Sequence, residues 1–156
     1  MTLPSLGADR AEAEASFTGL AGREYGAICA DPPWRFRTWS ETNQKKAASR
    51  HYDLMTTDDI VDLPVADVAA KDCVLFLWAV NPMLPQALKV MEAWGFTYKT
   101  IAFTWAKTTT RTDWSWAPKW NLGLGYWTRA NTETCLLGTR GNPKRASRAV
   151  RQLLIA

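Results

Sequence analysis

The chain has 156 residues, 47% of them hydrophobic and 22% charged. That is the composition of one folded domain, and it excludes a disordered chain. Charge is uneven: residues 1–34 hold 2 basic and 5 acidic side chains, net −3, whereas Lys99 to the end holds 10 against 2, net +8. No apolar run approaches the roughly 20 residues of a membrane span, and no basic-then-apolar segment marks a secretory leader.

Nine tryptophans interleaved with this basic charge point to a surface for phosphates and stacked bases, with a solvated basic face as the plain alternative. Cys29, Cys73 and Cys135 are odd in number and each lies in or beside an apolar stretch. They predict reduced core thiols in a cytoplasmic protein. A single histidine, His51, without paired cysteines argues against a zinc site.

Residues 8–20 have helix-forming composition. Tyr25–Ala30 predicts a buried strand that must stop at Asp31-Pro32-Pro33, because prolines cannot continue a ladder. Residues 35–50 are polar and aperiodic and predict a mobile loop. Residues 57–63 predict a short capped helix before Pro64. Cys73–Val80 is a second buried strand. Asn81 and Pro82 follow as N-cap and first helical residue, and Leu84, Ala87, Leu88, Met91 and Trp94 recur at helical spacing up to Gly95. Phe96–Lys107 predicts a third strand and Thr132–Gly138 a fourth. Residues 108–125 are a long loop, with Gly123 and Gly125 as turn residues. Lys144–Arg151 predicts a basic helix, and Leu153–Ala156 the start of a strand. Strands alternating with helices predict an α/β fold with a parallel sheet, whose chemistry lies past the carboxyl ends of the strands.

Asp31-Pro32-Pro33-Trp34 sits at such an end. Neither proline donates an N–H, so the stretch offers mainly acceptors: the Asp31 carboxylate and the carbonyls of Asp31 and Pro32. The prolines hold them rigidly, and Trp34 offers a flat ring. Rigid acceptors beside an aromatic plate suit a planar base with an exocyclic amine, adenine N6 or cytosine N4. Such an amine is a poor nucleophile because its lone pair is delocalised into the ring. Accepting both N–H hydrogens at tetrahedral angles localises the pair on nitrogen, ready for in-line attack on an electrophilic methyl. The natural donor of that methyl is S-adenosylmethionine. The protein's tasks are then positioning and electrostatics, on a base that is single-stranded or flipped out.

The sequence resembles the MT-A70-like N6-adenine methyltransferases from about Tyr25 to Arg145. The matching blocks run in the family's order. They are Ala30–Trp34, His51-Tyr52 with Met55, Leu75–Trp78, Trp94–Phe96, Trp105–Lys107, Gly125–Trp127, Glu133–Gly138 and Arg140–Pro143. The resemblance implies a Rossmann-like methyltransferase sheet with helices on both faces, truncated at the C-terminus. Residues 1–24 would be an N-terminal helical or flexible segment and 25–156 a partial catalytic domain. It implies that Asp31, Pro32 and Pro33 hold the amine, that Asp31 also meets the methionine end of S-adenosylmethionine, and that Trp34 stacks near the base. Tyr52 matches a loop tyrosine over the active site, Lys107 and Arg111 a basic region facing DNA or RNA, and Glu133 a glutamate near the base pocket. His51, Trp78, Trp94 and Trp105 read as structural.

Family members continue past the position of Ala156 with further cofactor contacts. The resemblance therefore implies an incomplete donor site, low or absent activity of the isolated chain, or a second protein chain as partner. Two other readings stand beside methyl transfer to adenine N6: an N4-cytosine methyltransferase, and a non-catalytic nucleic-acid-binding or partner subunit that keeps the fold.

Overall fold

The computed structural model describes residues 17–20, 22–36, 54–109, 120, 121, 123 and 127–156. The helix expected over 8–20 and the loop over 35–50 fall mostly outside these residues; Phe17 and Thr18 are helical. Five strands form one sheet: β1 Tyr25–Ala30, β2 Ala69–Ala79, β3 Thr97–Ala106, β4 Thr132–Arg140 and β5 Leu153–Ile155, in the order β1-β2-β4-β3-β5. Helices α1 (Thr57–Val61), α2 (Val65–Val68) and α3 (Leu84–Ala93) lie between β1 and β3. The α/β architecture expected from the sequence is present.

The sheet is mixed, which corrects the all-parallel expectation. β1 pairs with β2 in parallel and β3 with β5 in parallel, but β4 runs antiparallel to both β2 and β3. The cause is the β3–β4 connection, which leaves and returns at one end. The Lys107 N–H donates to the Asn131 carbonyl at 3.0 Å, and Thr108 bridges Trp120 in antiparallel sense. A chain that returns where it left must reverse direction.

β2 shows why one face becomes core. Ala69, Cys73, Leu75, Leu77 and Ala79 are buried and the residues between them are not, the two-residue period of a strand with one covered face. Against this face lie Ala87, Val90 and Met91 of α3 with Ile60, Trp94 and Leu136. Each fully buried apolar side chain of this size contributes about 1.5–3 kcal/mol. Gly138 of β4, level with Leu75, lets α3 approach: a Cβ there would meet the Met91 sulfur at 2.6 Å. The opposite face is aromatic, with Phe76 stacked on Phe103 at 5.8 Å and Trp78 edge-on to Trp105 at 6.3 Å.

Local signals explain the helix ends. Thr56 caps α1 in a capping box: its hydroxyl accepts from the Asp59 N–H, and the Asp59 carboxylate accepts from the Thr56 N–H. At the end of α3, Gly95 takes φ +79°. The Phe96 N–H reaches the Met91 carbonyl and the Gly95 N–H that of Glu92, a Schellman stop at the residue expected for it.

Three expectations are corrected. Asn81 does not cap α3. A 3-10 turn, Asn81–Met83, precedes the helix, Pro85 lies in its first turn, and the Asn81 side chain instead accepts a hydrogen bond from the Thr134 hydroxyl at 2.9 Å. Lys144–Arg151 is not helical but an irregular exposed segment, because it has no apolar stripe to bury against the sheet. Cys29 is exposed on edge strand β1 rather than in the core, whereas Cys73 and Cys135 are buried; all are free thiols.

Gly141 ends β4 at φ +63°, and a Cβ there would lie inside contact distance of the Lys71 carbonyl and the Asp72 carboxylate. Gly141→Ala should therefore cost more than about 1–2 kcal/mol, since left-handed strain adds to the clash. A urea midpoint equal to that of the unaltered chain would contradict this.

Candidate active site

The sheet brings four chain segments to one end. β1, β2 and β3 finish there and the reversed β4 begins there, so Asp31, Asn81, Lys107 and Glu133 all lie at that end. This is the carboxyl end of the strands where open α/β sheets place their sites.

The turn after β1 is built as the sequence requires. The Pro32 carbonyl accepts the Trp34 N–H at 2.8 Å, and the Pro33 carbonyl accepts the Met55 N–H at 2.9 Å. One lone pair of Pro32 is thus taken within the turn, leaving its second and the carboxylate of Asp31 as acceptors. Trp34 differs from expectation. It is only 4% exposed, packed in the core, with its indole N–H donating to the Trp78 carbonyl at 2.9 Å. A ring so enclosed cannot offer its face to a base. It anchors the turn to the end of β2, because a buried indole N–H needs a partner.

Lys107 and Glu133 form an ion pair where β3 ends and β4 begins. The Lys107 ammonium also lies 4.5 Å from the centre of the Trp105 ring, a cation–π contact. Trp105 is itself set by Trp78. Trp78 and Trp105 thus pack beside Lys107 on the sheet face opposite the core. Trp94 is core, as expected. The signal for Trp105 was its place two residues before Lys107, which puts both on one face of a strand.

The Asp31 carboxyl is pushed above its ordinary value, first by burial and then by the Glu133 charge, with Lys107 opposing. Asp31 thus shares its surroundings with the ion pair but has no hydrogen-bond donor of its own among the described residues. The three charges amount to two carboxylates against one ammonium. Cys135, beneath them on β4, is pushed up to about 12 by burial, with Cys29 and Asp31 adding to it, and stays a neutral thiol. Tyr52, Arg111 and His51 lie outside the described residues. Among the described residues no three metal-ligating side chains converge, and no helix is long and apolar enough to cross a membrane.

A mixed α/β sheet thus carries a carboxylate turn, Asp31 with two prolines, at the carboxyl end of its edge strand β1. The family profile of MT-A70 matches residues 25–153, and the chain belongs to that family. It is 30% identical to the type II methyltransferase M.MunI of a Mycoplasma species, over 88% of this chain and 61% of that protein. It is 27% identical to an MT-A70-like N(6)-adenosine-methyltransferase of Arabidopsis thaliana, over 77% of this chain and 15% of that protein. A probable rice counterpart is 28% identical over the same shares. The chain thus spans less than two thirds of each relative's length.

Proposed function

We propose that this chain takes part in methyl transfer from S-adenosylmethionine to the N6 amine of adenine in DNA or RNA. The observation that carries the reading is the Asp31 carboxylate. It is fixed at the carboxyl end of β1 by two prolines, lacks a donor among the described residues, and lies beside the Lys107–Glu133 pair. Relatives named as methyltransferases, two of them N(6)-adenosine enzymes, support it.

The charge balance suits the cofactor, because an excess of one carboxylate favours a sulfonium cation. S-adenosylmethionine supplies, when bound, a methyl group on that sulfonium. Asp31 accepts an N–H of the target amine and so draws its lone pair out of the ring. Its raised pKa also brings the carboxylate nearer to the range in which it receives the proton the amine sheds. Lys107 and Glu133 hold each other at the mouth, and Glu133 offers a further acceptor to the base edge. Tyr52 and Arg111 are assigned to the substrate side on the family resemblance, and Trp34 to holding the turn.

The test uses the full chain, labelled S-adenosylmethionine and oligonucleotides whose only amine base is adenine or cytosine, each as DNA and as RNA. The expected product after nuclease digestion is N6-methyladenine. Label on cytosine only, or no label with any polymer, overturns the reading.

A further inference from the structure

We infer that Lys144–Arg151 is a fixed track for the phosphodiester backbone of the nucleic-acid substrate, an inference that rests on the function proposed above. Lys144, Arg145, Arg148 and Arg151 lie within eight residues, and the sequence holds no Asp or Glu after Glu133. All four are exposed. Four other cations are engaged, Lys107 with Glu133, Lys89 with Asp58, Arg140 with the carbonyls of Ala66 and Ala69, and Arg35 with that of Leu54, whereas Arg23, Lys71, Lys99 and Arg129 are scattered single charges. Among the described residues the four of this segment have no such partner. A solvated face mixes both signs of charge; this segment carries one.

The segment is a strap rather than a tail. At its start Gly141 turns the chain, and the Asn142 N–H donates to the Asp72 carboxylate at 2.7 Å, which occupies the nearby acid. At its end the Thr104 N–H donates to the Gln152 carbonyl at 2.9 Å, and the Gln152 amide donates to the Ile101 carbonyl at 2.6 Å. Between these anchors nothing apolar pulls it inward; Val150 is 70% exposed. Backbone held at both ends presents its guanidinium groups with less ordering cost than a free tail, and guanidinium matches phosphate bidentately.

Its course leads to the Lys107 side of the site. The strap leaves the far end of β4, returns to β3, and continues as β5 alongside the last three residues of β3, Thr104–Ala106. The chain then reaches the Thr108 N–H, which donates to the Ala156 carbonyl at 2.7 Å, next to Lys107. Exposed Lys99 on β3 adds charge of the same sign on the way. A nucleic-acid strand following this edge arrives with its phosphates neutralised at the Lys107 end of the sheet, from which Asp31 lies across the strand ends, on the opposite edge strand.

The experiment measures binding of an adenine-containing oligonucleotide, as DNA and as RNA, between 50 and 200 mM salt. The proteins are the full chain, an Arg145→Gln/Arg148→Gln/Arg151→Gln variant, the same positions changed to Lys, and Arg23→Gln/Lys89→Gln as a control elsewhere. Each lost phosphate contact should lower the slope of log affinity against log salt by about 0.7–0.9. The Gln variant should lose about two to three units of slope and bind on the order of tenfold or more weakly at the lowest salt. The Lys variant and the control should keep the slope. An unchanged slope in the Gln variant, an equal loss in the control, or no binding by the unaltered chain overturns the track. The two readings separate cleanly: methyl transfer with an unchanged slope leaves the function and removes the track, and a slope loss without methyl transfer by the unaltered chain does the reverse.

Discussion

Asp31→Asn is expected to slow methyl transfer severely and to raise the melting temperature at neutral pH. Folding raises the Asp31 pKa, so it favours the protonated carboxyl. The group's contribution to stability is therefore present below its unfolded value and is lost as pH rises through the folded one. At pH 7 its charge destabilises the fold, and the neutral amide removes that cost. The gain should shrink as pH falls towards the ordinary carboxyl value of 3.8. It is modest, because solvent still reaches this side chain.

Activity runs the other way. The carboxylate is the acceptor, so the acid limb of kcat/KM should lie above that ordinary value. Glu133→Gln should move the limb down and Lys107→Met up, following the sign of each charge. Loss of the acceptor should reduce kcat by on the order of 10²–10³ or more, as for a missing electrostatic contact to a reacting centre. A variant that is less stable at pH 7, or an acid limb at the ordinary value, would refute this account. A residue that costs stability and is required for chemistry is the usual trade at an active site.

Trp94→Ala should be the most damaging substitution away from the site. The ring is 1% exposed and its N–H donates to the Ile60 carbonyl at 3.0 Å, joining α3 to α1. Truncating a buried aromatic to Ala costs about 3–5 kcal/mol, a large part of the roughly 5–15 kcal/mol that holds a domain together. Trp94→Phe should be milder. It retains much of the ring, and the Ile60 carbonyl keeps the Leu63 N–H at 3.2 Å as a second donor. The loss should then be nearer the net value of one hydrogen bond, about 0.5–1.5 kcal/mol, plus any cavity term. Urea denaturation at constant m-value separates the two variants, and an Ala variant within about 1 kcal/mol of the unaltered chain would contradict the packing argument.

Elements whose cause is local were legible. β1 ends at Ala30 because two prolines follow it, and α3 ends before Gly95 because only glycine takes that φ cheaply. β2 was legible as an apolar run, though it begins earlier, at Ala69, where polar Lys71 and Asp72 interrupt the run without interrupting the ladder. Of the site, Asp31 and its prolines were legible because their acceptor chemistry is a property of the tetrapeptide. Lys107 and Glu133 were named separately; nothing in their separation along the chain says that they pair.

Pairing and enclosure were decided by the tertiary structure. β4 reverses because its connection returns to the end where β3 stops, and an apolar strand is equally consistent with either direction. Trp34 reads as an open plate until the end of β2 takes its N–H and the core closes over the ring. Asn81 reads as a cap until β4 arrives with Thr134. Lys144–Arg151 reads as helix by composition, but a helix needs a face to bury and this strap is given none. Where strands and helices stop, and which turn carries the acceptors, follows from steric and hydrogen-bonding limits between neighbouring residues. Which side chains share a site depends on contacts between distant segments, set by strand order and direction, which no local pattern encodes.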